Sequence, residues 1–267
     1  MAEEWIRKRI LELAEQSERR QQYLFTDFLN EAEQAEAFAA AGRRLRTGRD
    51  GAGNEWAVCQ KLPGVVSVSG GREGAERVML RFGNPETFGY EEPFPIAVLR
   101  IASLHEKFGE ELSHRDYLGA LLHLGIERRV LGDILIDKKT AYLFAERSVA
   151  PFLAENLTQI RHTRVSCEPA PAVPEALRPK LAEETFPVAS ERLDAILAQL
   201  LKLSRSQSLE LFRAGRVFVN GAVTENGSAS PGEGDVISVR GFGRMIYRGV
   251  SGTSRKGKLY VTMEKYV

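Results

Sequence analysis

The sequence has little cysteine: two in 267 residues, Cys59 and Cys167, with no Cys-x-x-Cys pair. That excludes a disulfide scaffold and a zinc site. Long apolar runs are missing too. The longest, near Pro95–Leu104, is broken by Arg100 and falls far short of the ~20 residues that span a bilayer. The opening Met1–Ile10 carries Glu3, Glu4, Arg7 and Lys8, so no signal-peptide core is expected there. Histidine is scarce: His105, His114, His123 and His162 show no HExxH or Cys/His metal spacing. No Gly-x-Ser-x-Gly or Walker motif occurs, and acid pairs such as Glu110-Glu111 and Glu183-Glu184 fit a solvated surface. The expectation is a cytoplasmic, non-catalytic chain with no membrane span, metal, cofactor or small-molecule substrate.

Hydrophobic residues make up 43% and charged residues 27%, ordinary values for a globular chain whose length suits two or three domains. A net charge of +1 conceals an asymmetry. Ser190–Val267 holds 12 Lys+Arg against 7 Asp+Glu, and Arg240–Val267 holds seven basic residues and one acid, Glu264. A basic C-terminal module calls for a polyanionic partner.

Residues 1–60 read as a helical region. Trp5, Ile6, Ile10, Leu11, Leu13 and Ala14 recur at helical spacing, and Thr26-Asp27 opens a second, Ala/Glu-rich helix ending near Gly42. Arg43–Asn54 is expected to be an exposed loop. Its Gly48, Gly51 and Gly53 follow no strand and precede no Gly-Lys-Ser/Thr, so they fit a flexible turn rather than a phosphate loop.

Across residues 61–167 the signals alternate. Strands are predicted at Val65–Ser69, Arg77–Phe82 and Pro95–Ser103. Ser113 with Asp116 then caps a helix with Tyr117, Leu118, Leu121 and Leu122 on its apolar face, stopped by Gly125. Gly132-Asp133 reads as a turn. Strands at Asp133–Ile136 and Thr140–Ala145, a helix at Val149–Leu157 and a strand at His162–Ser166 follow. From Pro95 the order is β-α-β-β-α-β, the ferredoxin-like (RRM-like) order. RNA-binding modules, enzymes and metabolite sensors share that fold, so it does not settle function. Residues 168–187 hold five of the eleven prolines and are expected to form an extended linker.

In residues 188–267, Leu193, Ile196, Leu197, Leu200 and Leu201 mark one face of a short helix. Ser204 and Gln207 form a capping box for the next, which Gly215 ends. Val217–Val219, the hairpin signal Asn220-Gly221, and Val236–Val239 after Gly234-Asp235 give a small sheet. The tail from Arg240 reads as a hairpin around Ser251–Lys258. Its aromatics Phe242, Tyr247, Tyr260 and Tyr266 either stack on bases or pack against the module.

Arg-Leu-Asp (192–194), Leu-Ser-Arg-Ser (203–206), Gly-x-Val-x-Val-Asn-Gly (215–221) and Gly-Asp-x-Ile (234–237) occur in order. The set resembles the S4 RNA-binding domain, of αL type. Lys202–Ser206 is similar to the KMSKS loop of class I aminoacyl-tRNA synthetases, but no HIGH-like element or Rossmann pattern precedes it. Arg192–Asp194 is similar to the catalytic stretch of pseudouridine synthases, but no synthase-sized domain follows. The capped helix start suits a phosphate. The expected RNA-binding residues are Arg192, Lys202, Ser204, Arg205, Ser206, Gln207, Arg216, Asn220, Arg240, Arg244, Arg255, Lys256 and Lys258. Asp194 is expected to hold the helix pair together.

Ser113–Ile136 (SHRDYLGALLHLGIERRVLGDILI), Val149–Leu153 and Arg240–Arg244 (RGFGR), with the Ser-Arg-Lys-x-Lys turn, extend the likeness. Nearly the whole chain resembles the bacterial YlmH-type S4 proteins, often encoded among cell-division genes. The resemblance implies an α+β chain: N-terminal helices, a ferredoxin-like middle domain and a C-terminal S4 domain with a basic hairpin tail. It implies no catalysis, and binding to rRNA and tRNA on a 50S ribosomal subunit carrying obstructed peptidyl-tRNA, in ribosome-associated quality control. A monomer is expected. His114, Arg115, Arg128 and Arg129 form a candidate second face for RNA or protein. The alternatives are an S4-containing RNA-modifying enzyme and an interaction protein of cell division or photosystem II, with which a related cyanobacterial group is associated.

Overall fold

The computed structural model describes every residue except 1, 43, 51, 53, 106–109, 178, 179, 256 and 267. Two compact units divide the chain, Met1–Arg178 and Pro179–Val267. The first begins with α1 (Ala2–Arg20), whose Ile6, Ile10, Leu13 and Ala14 recur at helical spacing and are buried. They pack with α2 (Glu31–Ala41) on a sheet of β1 (Leu24–Phe25), β2 (Arg44–Arg49), β3 (Glu55–Cys59), β4 (Val66–Ser69) and β5 (Met79–Phe82). The sheet order is β1-β5-β4-β3-β2, antiparallel throughout.

Three expectations fail in this part. The second helix starts at Asn30, which forms a capping box with Glu33, and not at Thr26-Asp27. Thr26 belongs instead to the sheet edge: its N–H donates to Leu80 O and its Oγ1 accepts from Leu80 N, each at 2.9 Å. The expected 43–54 loop is in part a strand, since Arg44–Arg49 form β2 and pair with β3, while the expected turn residues Gly51 and Gly53 lie outside the described residues. Its β2 lies at a sheet edge with charged side chains and no apolar alternation, a common form for an edge strand and one that hides it from pattern reading. Gly48 is required there, because a Cβ would lie 2.5 Å from the Trp56 ring. Finally, β4 and β5 pair with β3 and β1, so this region is not purely helical and those strands are not part of the middle sheet.

After the short α3 (Pro85–Phe88) come β6 (Ile96–Ser103), α4 (His114–His123), β7 (Leu131–Asp137), β8 (Thr140–Glu146), α5 (Ala150–Asn156), β9 (Gln159–Ile160) and β10 (Thr163–Pro169). The antiparallel sheet runs β7-β8-β6-β10-β9. Leu99, Ile101, Leu143, Val165 and Cys167 alternate onto one face and pack with Tyr117 and Leu121 of α4 and Leu153 of α5. Burial raises the Cys167 thiol to about 11, leaving it an inert core group.

Gly132-Asp133 is not a turn. Both residues lie in β7, where the register shifts between Leu131 and Ile134. The irregularity aims the buried Asp133 carboxylate at the segment before β5, as a bulge can. It accepts from Arg72 Nη2 (2.8 Å), Arg72 Nε (3.2 Å), Glu76 N and Arg77 N (both 3.0 Å). Arg77 crosses the same junction, donating to Leu131 O, Phe28 O and Arg128 O. Burial lowers its guanidinium to about 10.

The second unit contains β11 (Leu181–Val188), α6 (Leu193–Leu200), α7 (Arg205–Arg213), β12 (Val217–Val219), β13 (Ala222–Val223), β14 (Val236–Val239), β15 (Gly243–Thr253) and β16 (Leu259–Tyr266). Its sheet runs β11-β16-β15-β14-β12-β13. Leu193, Ile196, Leu197 and Leu200 of α6 and Leu211 and Phe212 of α7 cover Val217, Ile237, Met245 and Val261. The expected proline-rich linker, residues 168–187, is therefore strand over its last seven residues, which β11 continues to Val188, and its first two residues end β10. Pro187 is tolerated because β11 is an edge strand, where a missing N–H need leave no ladder bond unmade.

Candidate nucleic-acid interface

Ser204 begins α7 in extended conformation, and its Oγ accepts from Gln207 N (3.2 Å) while Gln207 Oε1 accepts from Ser204 N (2.9 Å). The reciprocal box fixes the helix start and leaves Arg205 and Ser206 exposed on its first turn. Ser206 Oγ lies 3.0 Å from Ser204 Oγ. Lys202, in the left-handed region at φ 53°, is exposed on the turn just before.

Along α7 a groove opens between Leu203, Gln207, Arg213, Arg216 and Phe242. Arg216 is fixed by donating from Nη2 to Arg240 O at 2.5 Å. Gly241, at φ 88°, makes room for it: a Cβ there would sit 2.8 Å from Arg216 Nη2. The Arg240 guanidinium stacks 4.9 Å from the Phe218 ring and that of Arg244 5.7 Å from Tyr266. Lys202, Arg205, Arg213, Arg216 and Arg240 thus lie on α7 and the turns beside it. Such a surface offers guanidiniums, hydroxyls and a helix N-terminus to phosphate oxygens, with an apolar floor beside them. Arg213, in the last turn of α7, was not among the expected residues.

Other expected residues are placed elsewhere. Arg192 forms a bidentate pair with the buried Asp194, at 2.9 and 2.7 Å. The bond raises the Arg192 guanidinium and lowers the Asp194 carboxyl from their usual ranges. Asn220, at φ 50° in the turn between β12 and β13, donates to Asp235 Oδ1 (2.8 Å) and accepts from Val236 N (2.9 Å), tying that turn to the start of β14. Arg255 and Lys258 are exposed at the β15–β16 turn, where Lys258 N donates to Ser254 Oγ. Lys256 lies outside the described residues. Arg244 and Thr253 lie nine positions apart on β15, so at ~3.3 Å per residue the turn cations stand roughly 30 Å from Arg244. They form a second patch.

In the first unit, His114 and Arg115 are exposed on the first turn of α4. Arg128 Nη1 donates to Leu131 O (2.8 Å) and Gly132 O (3.1 Å), and Arg129 pairs with Glu127 (2.7 Å) and Asp27 (3.0 Å). The Arg128 guanidinium is therefore spent on carbonyls of β7, whereas Arg129 reaches Asp27 and serves the junction between the two sheets.

Because Asp194 is held ionised by Arg192, Asp194→Asn should lower stability at pH 7 by about 1–3 kcal/mol. The folded carboxyl is depressed, so its contribution is present above the unfolded value near ~4 and disappears as pH falls through the folded one. Urea titrations at pH 7 and pH 3 should show the gap between wild type and variant shrinking in acid. A constant gap would contradict an ionic role for this pair.

Among the described residues no helix is long and apolar enough to cross a membrane. Residues 90–173 match the family model described as "Putative RNA-binding domain in YlmH", and residues 191–237 match the S4 domain. The chain is 34% identical over 211 residues to "Ribosome-associated protein quality control protein P2" of Bacillus subtilis (strain 168), covering 75% of this chain and 77% of that protein. Its fold also overlaps a solved structure, "Cell division protein ylmH from Streptococcus pneumoniae", at a TM-score of 0.47 and 18% identity, over 64% of this chain and 92% of that one.

Proposed function

Since this chain belongs to the YlmH family of S4-domain RNA-binding proteins, we propose that it binds structured rRNA and tRNA on the large ribosomal subunit. It does so in quality control of stalled 50S–peptidyl-tRNA, as a cytoplasmic monomer that works by binding, without catalysis or cofactor. The observation that carries this reading is the exposed, capped start of α7 with Arg205 and Ser206, flanked by Lys202, Arg213, Arg216 and Arg240. The pathway comes from the name of the Bacillus subtilis relative.

In the second unit, RNA contact falls to two patches. The first comprises Lys202, Arg205, Ser206, Gln207, Arg213, Arg216, Arg240 and Arg244. The second is the turn bearing Arg255, Lys256 and Lys258. Arg192, Ser204 and Asn220 act at one remove, by fixing the elements that present the others.

Sedimentation of tagged protein with ribosomal subunits, followed by sequencing of crosslinked RNA, tests the reading. It requires 50S co-sedimentation with discrete rRNA or tRNA crosslinks and no modified nucleotide. If about five cations neutralise phosphates, log K should fall with log salt at a slope of about −3 to −5. A flat salt response, or a nucleotide modified by the protein, would overturn the proposal.

A further inference from the structure

The middle sheet has a second face, opposite α4 and α5. Phe144 and Tyr142 of β8 lie on it, the kind of rings on which a sheet can stack bases. Neither is available: Phe144 is 0% and Tyr142 8% exposed. The cover over Phe144 comes from the N-terminal part of the same unit. A Cβ on Gly71 would lie 2.7 Å from the Phe144 ring, and one on Gly132 2.8 Å from Phe28. Phe28, Met79 and Phe94 form a buried cluster against Ile96 beside it. Asp133 and Arg77 lock this packing through the bonds described above.

The helix side is open. A groove runs between α4 and residues 156–161, with Gly119 and Ala120 on one wall. No atom lies within 4 Å of the position a Gly119 Cβ would take, so the α4 backbone is accessible there. Arg115 and His123 are exposed on the α4 wall. Across from them Arg161, at φ 51°, has its carbonyl held by Gln159 Nε2 at 2.7 Å. The acid on the α4 wall, Asp116, is already engaged: it accepts from Ser113 N and Oγ and lies 3.6 Å from Arg161. Arg115 on one wall, Arg161 shared with Asp116 on the other, and an exposed helix backbone between them suit a sugar–phosphate strand.

We infer that the middle domain takes the backbone of structured RNA in this helix-side groove, while its sheet face is a packing surface for the N-terminal part. The inference rests on the RNA-binding reading above. Its test uses the full chain, ultraviolet crosslinking to Bacillus subtilis 50S subunits and mapping of the crosslinked peptides. Gly119→Gln puts into the groove a side chain whose Cβ meets no neighbour within 4 Å, and it favours the helix. Arg115→Glu places an anion on a first helical turn, where the fold tolerates it. Each variant should lose crosslinks at residues 114–124 and 156–161 and weaken binding at least about 5-fold, with an unchanged or higher melting temperature. Wild-type crosslinks at α7 but not in the groove, or wild-type affinity in both variants, would overturn this inference and leave the RNA reading standing. Crosslinks there to ribosomal protein alone would also overturn it. No RNA crosslink anywhere would overturn both.

Discussion

Asp133→Ala should destabilise the first unit by about 3 kcal/mol or more, because it strands a guanidinium and two backbone N–H groups at once. The carboxylate is 7% exposed and its partner Arg72 17%, so water cannot replace the lost acceptor freely. Trp5 and Trp56 are the two tryptophans of the sequence, and both lie in the first unit. Intrinsic tryptophan fluorescence in urea therefore reports that unit without interference from the second. The midpoint should fall clearly, and Asp133→Asn, which keeps an acceptor but loses the charge, should fall between. A midpoint equal to wild type would mean that the packing around Phe28 and Phe144 alone holds the two sheets together.

Arg205→Glu combined with Ser206→Ala should weaken RNA binding at least ~10-fold, since a hydrogen bond to a charged group is worth about 1.5–3 kcal/mol and the charge is reversed as well. Both side chains are exposed. The Ser204–Gln207 box is retained and only the Ser204–Ser206 hydroxyl contact is lost. An acid at the first helical position is favoured by the dipole, so the melting temperature should hold. Filter binding with 50S subunits beside thermal melts separates the two effects. Wild-type affinity in the double variant would remove the α7 start from the interface.

Whether a feature was readable in advance depended on how far along the chain its causes lie. The Ser204–Gln207 and Ser113–Asp116 boxes are complete within four residues, and both helices begin where the sequence puts them. Asp133 meets Arg72 and Arg77 from 56 to 61 residues away, so Gly132-Asp133 looked locally like any turn. The strand β2 had neither apolar alternation nor a buried face to betray it. The exposure of Arg205 on a first helical turn was legible from its place after a cap, whereas Arg192 and Asn220 looked equally free until Asp194 and Asp235 were seen beside them. Arg213 lines the groove only because α7 and the turn at Arg216 come together, which no local pattern announces.

The pairing of β11 with β16 also bears on synthesis. Leu181 meets Tyr266 and Val188 meets Leu259, so the strand that opens the second unit has its ladder partner roughly 70–85 residues downstream. At the ~5–20 residues per second of translation, β11 waits several seconds for β16 to emerge. Through that interval it is an unpaired edge, the kind of surface that recruits other chains. Glu183 and Glu184, both exposed on β11, place two like charges on it, the kind of feature that disfavours edge-to-edge pairing between copies until β16 arrives.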